Sequence, residues 1–435
     1  DGLTGRRVRY DYDEFDNLLS AEYRQGNDVE RIYRIPDRIG NLFETRKKDD
    51  RKYGTGSRLA EDRDYFYHYD CEGNLVFKEF RTLDWAGVSV PLGGQKAHLE
   101  EELGITFRAF GAGWRYEWQS DGMLSRVVRP DGKEVSFAYD ALGRRTEKTY
   151  EGVTTHFVWD GNVPLHEWQE VSSDARRTDV TTWLFEQNTF IPAAKLAANG
   201  ESFSIVSDYL GTPLQAFDNN GNKVWEQELD IFGRKRRKDN NNSSFIPFKY
   251  QGQYEDVETG LYYNRFRYYD PNVGGYISQD PIGLFGGNNL YGYVYDTNYL
   301  VDYFGLFGDE FDVGIHIELL RAKKDPNLRS HHVGQKAIMK DMVANYDEMK
   351  APAILVNKMG HNNNKPGFEP GTVSRSRINP RTNRPFTNAR ELLARDIREL
   401  RRVYPDIPNS KLKELIDLNK KMYPEMRKPA KGGHH

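Results

Sequence analysis

Two aspartates in the middle of the chain have the residue type and setting of an acid–base pair. Asp280 lies in DPIG, and Asp302 lies in DYFG, 22 positions further on. Two carboxyl groups held close together cannot both ionise easily, so they share a proton. One can then act as a base on water while the other protonates a leaving amide. Asp-Pro and Asp-Tyr are also ordinary turn sequences, so a protease-type dyad and two turn residues both stay open.

Adjacent histidines form a second candidate site. His331 and His332 follow Ser330 in LRSHHVGQKAIM. One imidazole of such a pair can bind a divalent metal while its neighbour, pointing elsewhere, takes a proton from water. A third ligand must come from another segment, and His361 with Asn362 in GHNNN is the best-placed candidate. A metal there would stabilise charge on a cleaved phosphate. A surface or helix-capping pair is the alternative.

Charge and aromatic residues divide the chain near residue 306. Residues 307–435 contain 25 Lys and Arg against 16 Asp and Glu, a net charge of +9. Residues 1–306 have a net charge of −12, and they contain all seven tryptophans. An acidic, aromatic part followed by a basic, helix-prone part predicts a β container and an α-rich cargo with a polyanionic target. Two domains that merely differ in composition are the alternative.

Before residue 260 the chain repeats one theme, an aromatic-containing strand, a turn with Asp and often Gly, and another strand. YHYDCEGNLVFKEF (67–80) and FAYDALGRRTEKTY (137–150) are two copies. Gly, Asn and Asp accept the positive φ of tight hairpins, and alternating aromatic and aliphatic residues suit half-buried strands. Repeated hairpins stack into a continuous sheet. We therefore predict a mainly β fold in which the repeated Asp is a turn residue rather than a ligand contact.

The C-terminal part predicts two helices. Apolar residues recur at helical spacing in NARELLARDIRELRRV, and Pro405 ends that helix. A second helix is expected from 409 to 422. The arginine-rich face of the first helix favours contact with backbone phosphates, and a merely solvated face is the alternative. The residues predicted to make it are Arg395, Arg398 and Arg402.

Cysteine content and hydropathy set further limits. The single cysteine, Cys71, excludes an internal disulfide framework and a Cys-rich metal site. No apolar run approaches the ~18 residues of a membrane span. The sequence begins within a repeat, at DGLTGRRVRYDYDEFDNL. We interpret it as the C-terminal piece of a longer protein.

The segment GLYYNRFRYYDPNVGGYISQDPIGLFGGNNLYGYVYDTNYLVDYFGL (260–306) resembles the hallmark segment of Rhs/YD-repeat proteins. That resemblance implies a hollow β shell over 1–259, an autoproteolysis segment over 260–306 and a toxin over 307–435. It also implies that Asp280 and Asp302 cut the Leu306–Phe307 bond. Tyr303 stands where the family has proline.

The SHH sequence at 330–332 resembles HNH/endonuclease VII superfamily toxins with an SHH or GHH signature. The resemblance implies a small α-rich nuclease in which His331 is a metal ligand, His332 is the general base, and His361 or Asn362 completes the site. Mg²⁺, Zn²⁺ and Ni²⁺ all remain open as the metal. DNA is favoured over RNA as the substrate.

The two resemblances imply a secreted effector, of the kind delivered by type VI secretion, whose toxin acts in the target-cell cytoplasm. The expected partners are nucleic acid, a cognate immunity protein, and secretion components and a chaperone that bind a preceding N-terminal region. Two alternatives stay open. One is a toxin with metal-independent RNase or nucleic-acid-modifying activity, and the other is a non-enzymatic surface or adhesion protein.

Overall fold

The structure is a computed structural model of the 435-residue chain. It describes residues 7–14, 17–83, 93–171, 176–177, 180–187, 189–236, 245–283, 289–306, 313–316, 319, 328–332, 336–343, 346–357, 378–379, 382–405, 407 and 409–426. The chain forms two compact units. The first comprises residues 1–281 and 288–306, and the second comprises residues 282–287 and 307–435.

The N-terminal unit is built from antiparallel hairpins. Its strands are β1 (Arg7–Tyr12), β2 (Leu18–Gln25), β3 (Asp28–Tyr33), β4 (Ile35–Pro36), β5 (Leu42–Phe43), β6 (Lys52–Tyr53), β7 (Leu59–Glu61), β8 (Tyr65–Tyr69), β9 (Leu75–Phe80), β10 (Gly113–Trp118), β11 (Leu124–Val128), β12 (Glu134–Tyr139), β13 (Arg145–Tyr150), β14 (Val153–Asp160), β15 (Val163–Val171), β16 (Arg176–Arg177), β17 (Thr181–Phe185), β18 (Pro192–Leu196), β19 (Ser202–Ser207), β20 (Pro213–Phe217), β21 (Lys223–Glu226), β22 (Tyr254–Asp256), β23 (Leu261–Asn264), β24 (Arg267–Asp270) and β25 (Gly275–Tyr276). Helix α1 (Gly93–Leu103) lies between β9 and β10.

Sequence order and spatial order agree in the large sheet. Over the described residues, β6 to β15 and then β17 to β21 pair as successive neighbours, and β16 pairs with β15. Strands β1 to β3 and strands β22 to β25 form two smaller sheets, and β4 pairs with β5. Each repeat therefore pairs with the next one along the chain, which confirms the predicted mainly β, repeat-built fold.

The repeated aspartates are turn residues, as predicted. In the turn after β12, Asp140 Oδ1 accepts the N–H groups of Leu142 and Arg144, both at 2.9 Å. Gly143 has a φ of +71°, a conformation that residues with a Cβ adopt only at a cost. The carboxylate thus binds the amides two and four residues on. The same pattern recurs at Asp208, Asp218 and Asp230.

The interior of this unit contains ion pairs among its aromatic rings. Lys78 Nζ lies 2.9 Å from Asp270 Oδ2. Arg145 Nη1 lies 2.6 Å from Asp256 Oδ2, and both side chains are essentially inaccessible. The Arg145 guanidinium also lies 4.5 Å from the ring centroid of Tyr263. Buried charges are tolerated when they are paired in this way, so the core holds ionised groups in fixed positions.

The C-terminal unit has a small sheet and a helical core. Its described strands are β26 (Val313–Ile315), β27 (Leu328–His332), β28 (Pro352–Asn357), β29 (Ile378–Asn379) and β30 (Arg384–Pro385), and its described helices are α2 (Lys336–Met342), α3 (Ala389–Val403) and α4 (Asn409–Met422). Strand β28 lies between β26 and β27, antiparallel to both.

Both helices predicted for this unit are confirmed. The Asn388 side chain caps α3 by accepting the N–H of Glu391 at 2.9 Å, and α3 ends before Pro405. Helix α4 has the predicted bounds. Leu392, Leu400 and Leu415 are fully buried in the shared core. In the part of the chain that the structure describes, no helix is long and apolar enough to cross a bilayer.

Candidate functional site

Asp280 is held in the interior just after β25. Its side chain is buried, and its N–H donates to the Leu290 carbonyl at 2.8 Å. Its Oδ2 accepts a hydrogen bond from Arg267 Nη2 at 2.7 Å. Burial together with a charged partner fixes the position of this carboxylate.

Asp302 occupies a turn of the same kind as the repeat aspartates. Its Oδ1 accepts the N–H groups of Phe304 at 3.3 Å and Leu306 at 3.1 Å, two and four residues on. Its Oδ2 points inward and accepts the hydroxyl of Tyr276 at 2.7 Å. Asp302 is 0% exposed. The turn interpretation is therefore correct for this residue, and it leaves the second carboxylate oxygen directed into the interior.

Arg267, on β24, brings the two aspartates together. Arg267 Nη2 lies 2.7 Å from Asp280 Oδ2 and 3.6 Å from Asp302 Oδ2. The separation of these two carboxylate oxygens therefore cannot exceed the sum of the two distances. Arg267 is 1% exposed. Its charge compensates one of the two negative charges, so the cluster becomes neutral when the carboxyls hold one proton between them. The structure thus places the predicted pair in one buried cluster.

Tyr276 and Arg267 hold the chain before the predicted scissile bond. Burial, and then the charge of Asp302, raises the pKa of Tyr276 well above its ordinary value, so the hydroxyl remains a donor. The Arg267 guanidinium stacks 3.7 Å from the Tyr276 ring centroid and donates from Nε to the Gly305 carbonyl. Leu306, the last residue of the N-terminal unit, is 8% exposed. Phe307 lies outside the described residues.

Sequence reasoning missed Arg267 and Tyr276. The signal was available, because NRFRYYD places an arginine inside an aromatic strand where an unpaired cation would be costly. Such a residue needs a buried anion, which the candidate aspartates Asp280 and Asp302 of the same segment could have supplied.

The paired histidines lie at the end of β27. His331 is opposite Ile354 of β28, and His332 is opposite Ala353. Neighbouring residues of a strand point to opposite faces, so the two imidazoles are directed apart. Ser330 shares the face of His332. This geometry is compatible with different functions for His331 and His332.

His316, which directly follows β26, joins the face of His332. Its Nδ1 lies 2.8 Å from Ser330 Oγ, and its ring centroid lies 4.1 Å from that of His332. Burial lowers the pKa of His316. Sequence analysis did not assign His316 to a site. The histidine in VGIHI could have been flagged as a polar residue at the end of an apolar strand.

The predicted metal site is only partly described. His361 and Asn362 lie outside the described residues. Among the residues that are described, no group of three or more His, Cys, Asp or Glu side chains could hold a metal ion. The described residues alone therefore do not fit a metal centre.

The three predicted phosphate-binding arginines differ in exposure. Arg395 is 3% exposed, forms an ion pair with Asp396, and lies 5.1 Å from the Phe386 ring centroid. Arg398 is exposed on the surface of α3. Arg402 is also exposed, and its Nη2 lies 2.7 Å from Glu399 Oε2. The surface position expected for Arg395 is wrong, because its charge is neutralised inside the unit.

A meander of hairpin repeats that ends in a buried Asp–Arg–Asp cluster defines a repeat-built β shell. Residues 4–285 match the family model for the teneurin YD-shell. This match covers more than half of the chain, and the chain belongs to that family of YD-repeat proteins.

Relatives of the chain include bacterial toxins. It is 30% identical over 338 residues to double-stranded DNA deaminase toxin A of Burkholderia cenocepacia (strain H111), covering 71% of this chain and 21% of the toxin. It is 29% identical over 280 residues to probable deoxyribonuclease RhsB of Dickeya dadantii (strain 3937), covering 63% of this chain and 17% of that protein. The chain therefore spans about a fifth of the length of these relatives.

A solved structure is also similar. The crystal structure of TcdB2-TccC3-TEV aligns at 19% identity and a TM-score of 0.38, covering 70% of this chain and 18% of that one.

Proposed function

We propose that the chain is the C-terminal part of an Rhs effector that cuts itself after Leu306 and frees a nucleic-acid-degrading toxin. The observation that carries the proposal is the Asp280–Arg267–Asp302 cluster. It is buried, it holds two carboxylates at one cation, and it binds the residues immediately before the predicted scissile bond. Paired carboxyls in a fixed geometry are suited to acid–base hydrolysis of an amide.

The proposed reaction is hydrolysis of the Leu306–Phe307 peptide bond. The ionised carboxylate takes a proton from water, and the water oxygen attacks the Leu306 carbonyl carbon. The protonated carboxyl gives its proton to the Phe307 nitrogen as the C–N bond breaks. The products are a Leu306 carboxylic acid and a Phe307 amine, and the two aspartates again hold one proton between them. Arg267 and Tyr276 keep the carboxylates and the Gly305 carbonyl in place during these steps.

Replacement of Asp280 tests this role. The whole chain with Asp280→Asn should stay intact, because the amide cannot exchange the proton, whereas the wild type should give two fragments by intact-mass measurement. Asp218→Asn is the matched control, since Asp218 is a partly exposed turn aspartate that binds the N–H groups of Asn220 and Asn222. It should be cut as the wild type is. Cutting of Asp280→Asn at the wild-type rate would remove the dyad.

For the C-terminal unit we propose nuclease activity with His332 as the general base. The support is the basic charge of residues 307–435, the exposed Arg398 and Arg402, and the separation of His332 from His331 on the strand. His316 lies against His332 and is fixed by Ser330, so it is placed to orient that ring. A polyanion is the substrate that this charge would attract.

The proposal retains a divalent metal, held by His331 with His361 and Asn362. The ion would supply charge stabilisation at the cleaved phosphate. Because the described residues do not complete such a site, no step of the reaction is assigned to it.

Plasmid degradation by the self-cleaved full chain tests the nuclease. His332→Ala should abolish it, and His316→Ala should reduce it by about 10²-fold if His316 positions the base. His98→Ala, on the exposed surface of α1, should have no effect. Undiminished cleavage by His332→Ala would contradict the assigned base.

A modifying toxin is the second candidate, because the deaminase toxin of Burkholderia cenocepacia is among the relatives. Chelator-insensitive base conversion without strand breaks would favour it. In either case we propose delivery into a target cell, confinement of the toxin by the shell, a cognate immunity protein, and secretion components that engage a preceding region.

A further inference from the structure

The turn that carries Asp302 rests on an aromatic ring from a distant loop. We propose that Phe190 is a positioning residue for self-cleavage, and that in this chain it supplies the restraint a proline would give at position 303. The inference depends on the proposed self-cleavage and adds to it a residue that lies far away in sequence.

One ring of Phe190 contacts both residues that follow Asp302. Its centroid lies 5.1 Å from that of Tyr303, with the planes 25° apart, and 5.3 Å from that of Phe304, with the planes 87° apart. These are a stacked pair and an edge-to-face pair, the two arrangements that aromatic rings prefer. Phe190 therefore packs against Tyr303 and Phe304, the two residues that lie between Asp302 and Gly305.

A restraint at position 303 is needed because tyrosine leaves φ free. Proline fixes φ near −65°, and tyrosine at the same position must be held by its surroundings. The stabilisation expected from two ring pairs is at least as large as that from introducing a compatible proline. The two ring contacts of Phe190 can therefore stabilise the turn as much as a proline at position 303 would.

The backbone of Gly252 also packs closely against the turn. Gly252 approaches so closely that a Cβ placed there would lie 2.3 Å from the Tyr303 carbonyl oxygen. The Gly252 backbone and the Phe190 ring therefore both restrict the position of the turn at Tyr303.

Movement of the turn would displace the catalytic carboxylate. Asp302 Oδ1 is bound to the N–H groups of Phe304 and Leu306, so the carboxylate follows the turn backbone. Its Oδ2 must stay within reach of Tyr276 and Arg267. Loss of the Phe190 ring would let the turn adopt conformations in which these contacts are broken.

Removal of the ring would not be compensated by its neighbours. Phe190 is one wall of a cavity that Phe185, Phe248 and Trp159 also line. Truncation at position 190 would enlarge that cavity, and packed interiors fill such space only in part.

The test is a double-mutant cycle in the full chain, with the rate of self-cleavage followed by intact mass. Phe190→Ala should slow cutting about tenfold, and Phe190→Leu, which keeps bulk without a ring, should slow it less. Tyr303→Pro should restore the rate in the Phe190→Ala background, because proline fixes the backbone without the ring. Phe203→Ala is the control, since it removes a comparable ring pair with Phe245 elsewhere in the sheet. It should cut at the wild-type rate.

The outcomes separate the inference from the proposed function. If Phe190→Ala and Phe190→Leu are both cut as fast as the wild type, the positioning role is wrong and self-cleavage stands. The same conclusion follows if the double variant is as slow as Phe190→Ala. If only variants with Tyr303→Pro are cut, the positioning role is wrong, and so is self-cleavage of the unaltered chain. If neither the wild type nor Tyr303→Pro is cut, both the inference and self-cleavage fall.

Discussion

Two turns of the N-terminal unit have nearly the same sequence and different surroundings. DIFGR (230–234) and DYFGL (302–306) both begin with an aspartate whose Oδ1 binds the amides two and four residues on. In the first, Oδ2 pairs with Arg234 Nε of the same turn at 2.6 Å. In the second, leucine replaces that arginine, and Oδ2 meets Tyr276 and Arg267 from other strands. The aspartate of such a turn has a structural role when the arginine of the same turn pairs with its Oδ2. When leucine replaces that arginine, Oδ2 is left for contacts with other strands, and the aspartate becomes a candidate for acid–base chemistry.

The main chain of the two turns also differs. The Asp230 N–H donates to the Arg234 carbonyl at 2.8 Å, closing the hairpin. The Asp302 N–H donates to the Tyr293 hydroxyl at 3.3 Å. The second turn is thus held by tertiary contacts, so it should respond to changes made far away in the sequence.

The largest expected difference lies between the two arginines. Arg267→Met would leave two buried carboxylates without their cation, and should cost roughly 3–5 kcal/mol of unfolding free energy and abolish cutting. Arg234→Met removes the partly exposed partner, at 26% side-chain exposure, of one buried carboxylate, and should cost less, about 1–3 kcal/mol, and leave cutting unchanged. Denaturant unfolding followed by tryptophan fluorescence measures this, because all seven tryptophans lie in residues 1–306.

Equal costs for the two arginine variants would contradict the comparison. The buried cation would then be no more important than the local one, and the Asp–Arg–Asp cluster would lose its distinguishing feature.

The next difference lies between two glycines of such turns. Gly221 has a φ of +82° with open space around its missing Cβ, so Gly221→Ala should cost about 1–2 kcal/mol from conformation alone. Gly305 has a φ of +65°, and a Cβ there would lie 2.6 Å from the Asn264 carbonyl oxygen. Gly305→Ala should therefore cost roughly 1–3 kcal/mol more and slow cutting. Similar unfolding midpoints for both variants would show that the turn at 302 is not tightly enclosed.

Much of the fold follows from the sequence because local signals repeat. Turn residues and alternating aromatics predict the hairpins, and in the large sheet each repeat pairs with the next one along the chain. Helices α3 and α4 follow from apolar spacing and the break at Pro405. These features depend on residues a few positions apart, so pattern reasoning captures them.

The site could be predicted only in part, because its remaining residues converge from separate strands. Asp280 and Asp302 stand out in similar motifs, whereas Arg267 and Phe190 share no motif with them. Arg395 shows the reverse error, since its place in an arginine-rich helix indicated exposure and the structure buries it beside Asp396. Helical spacing gives the face of a residue, but the exposure of that face depends on what packs against it.

The smallest expected effect concerns one hydroxyl. Tyr276→Phe removes the donor to Asp302 Oδ2 and should cost about 1 kcal/mol, with cutting slowed about fivefold to tenfold. Tyr269→Phe removes a buried hydroxyl that donates to the Phe232 carbonyl at 2.7 Å, in the turn of Asp230. It should cost a similar amount and leave the cutting rate unchanged. Slowed cutting in both variants would indicate a general loss of rigidity instead of a specific contact.

Sequencing the N-terminus of the smaller fragment tests the central claim most directly. The wild-type chain should yield a fragment that begins at Phe307, and the Asp302→Asn variant should yield none, because its side chain can no longer exchange the proton while its turn is kept. A fragment beginning at Phe307 from Asp302→Asn, or a wild-type fragment that begins elsewhere, would contradict the assignment of this cluster as a self-cleaving site.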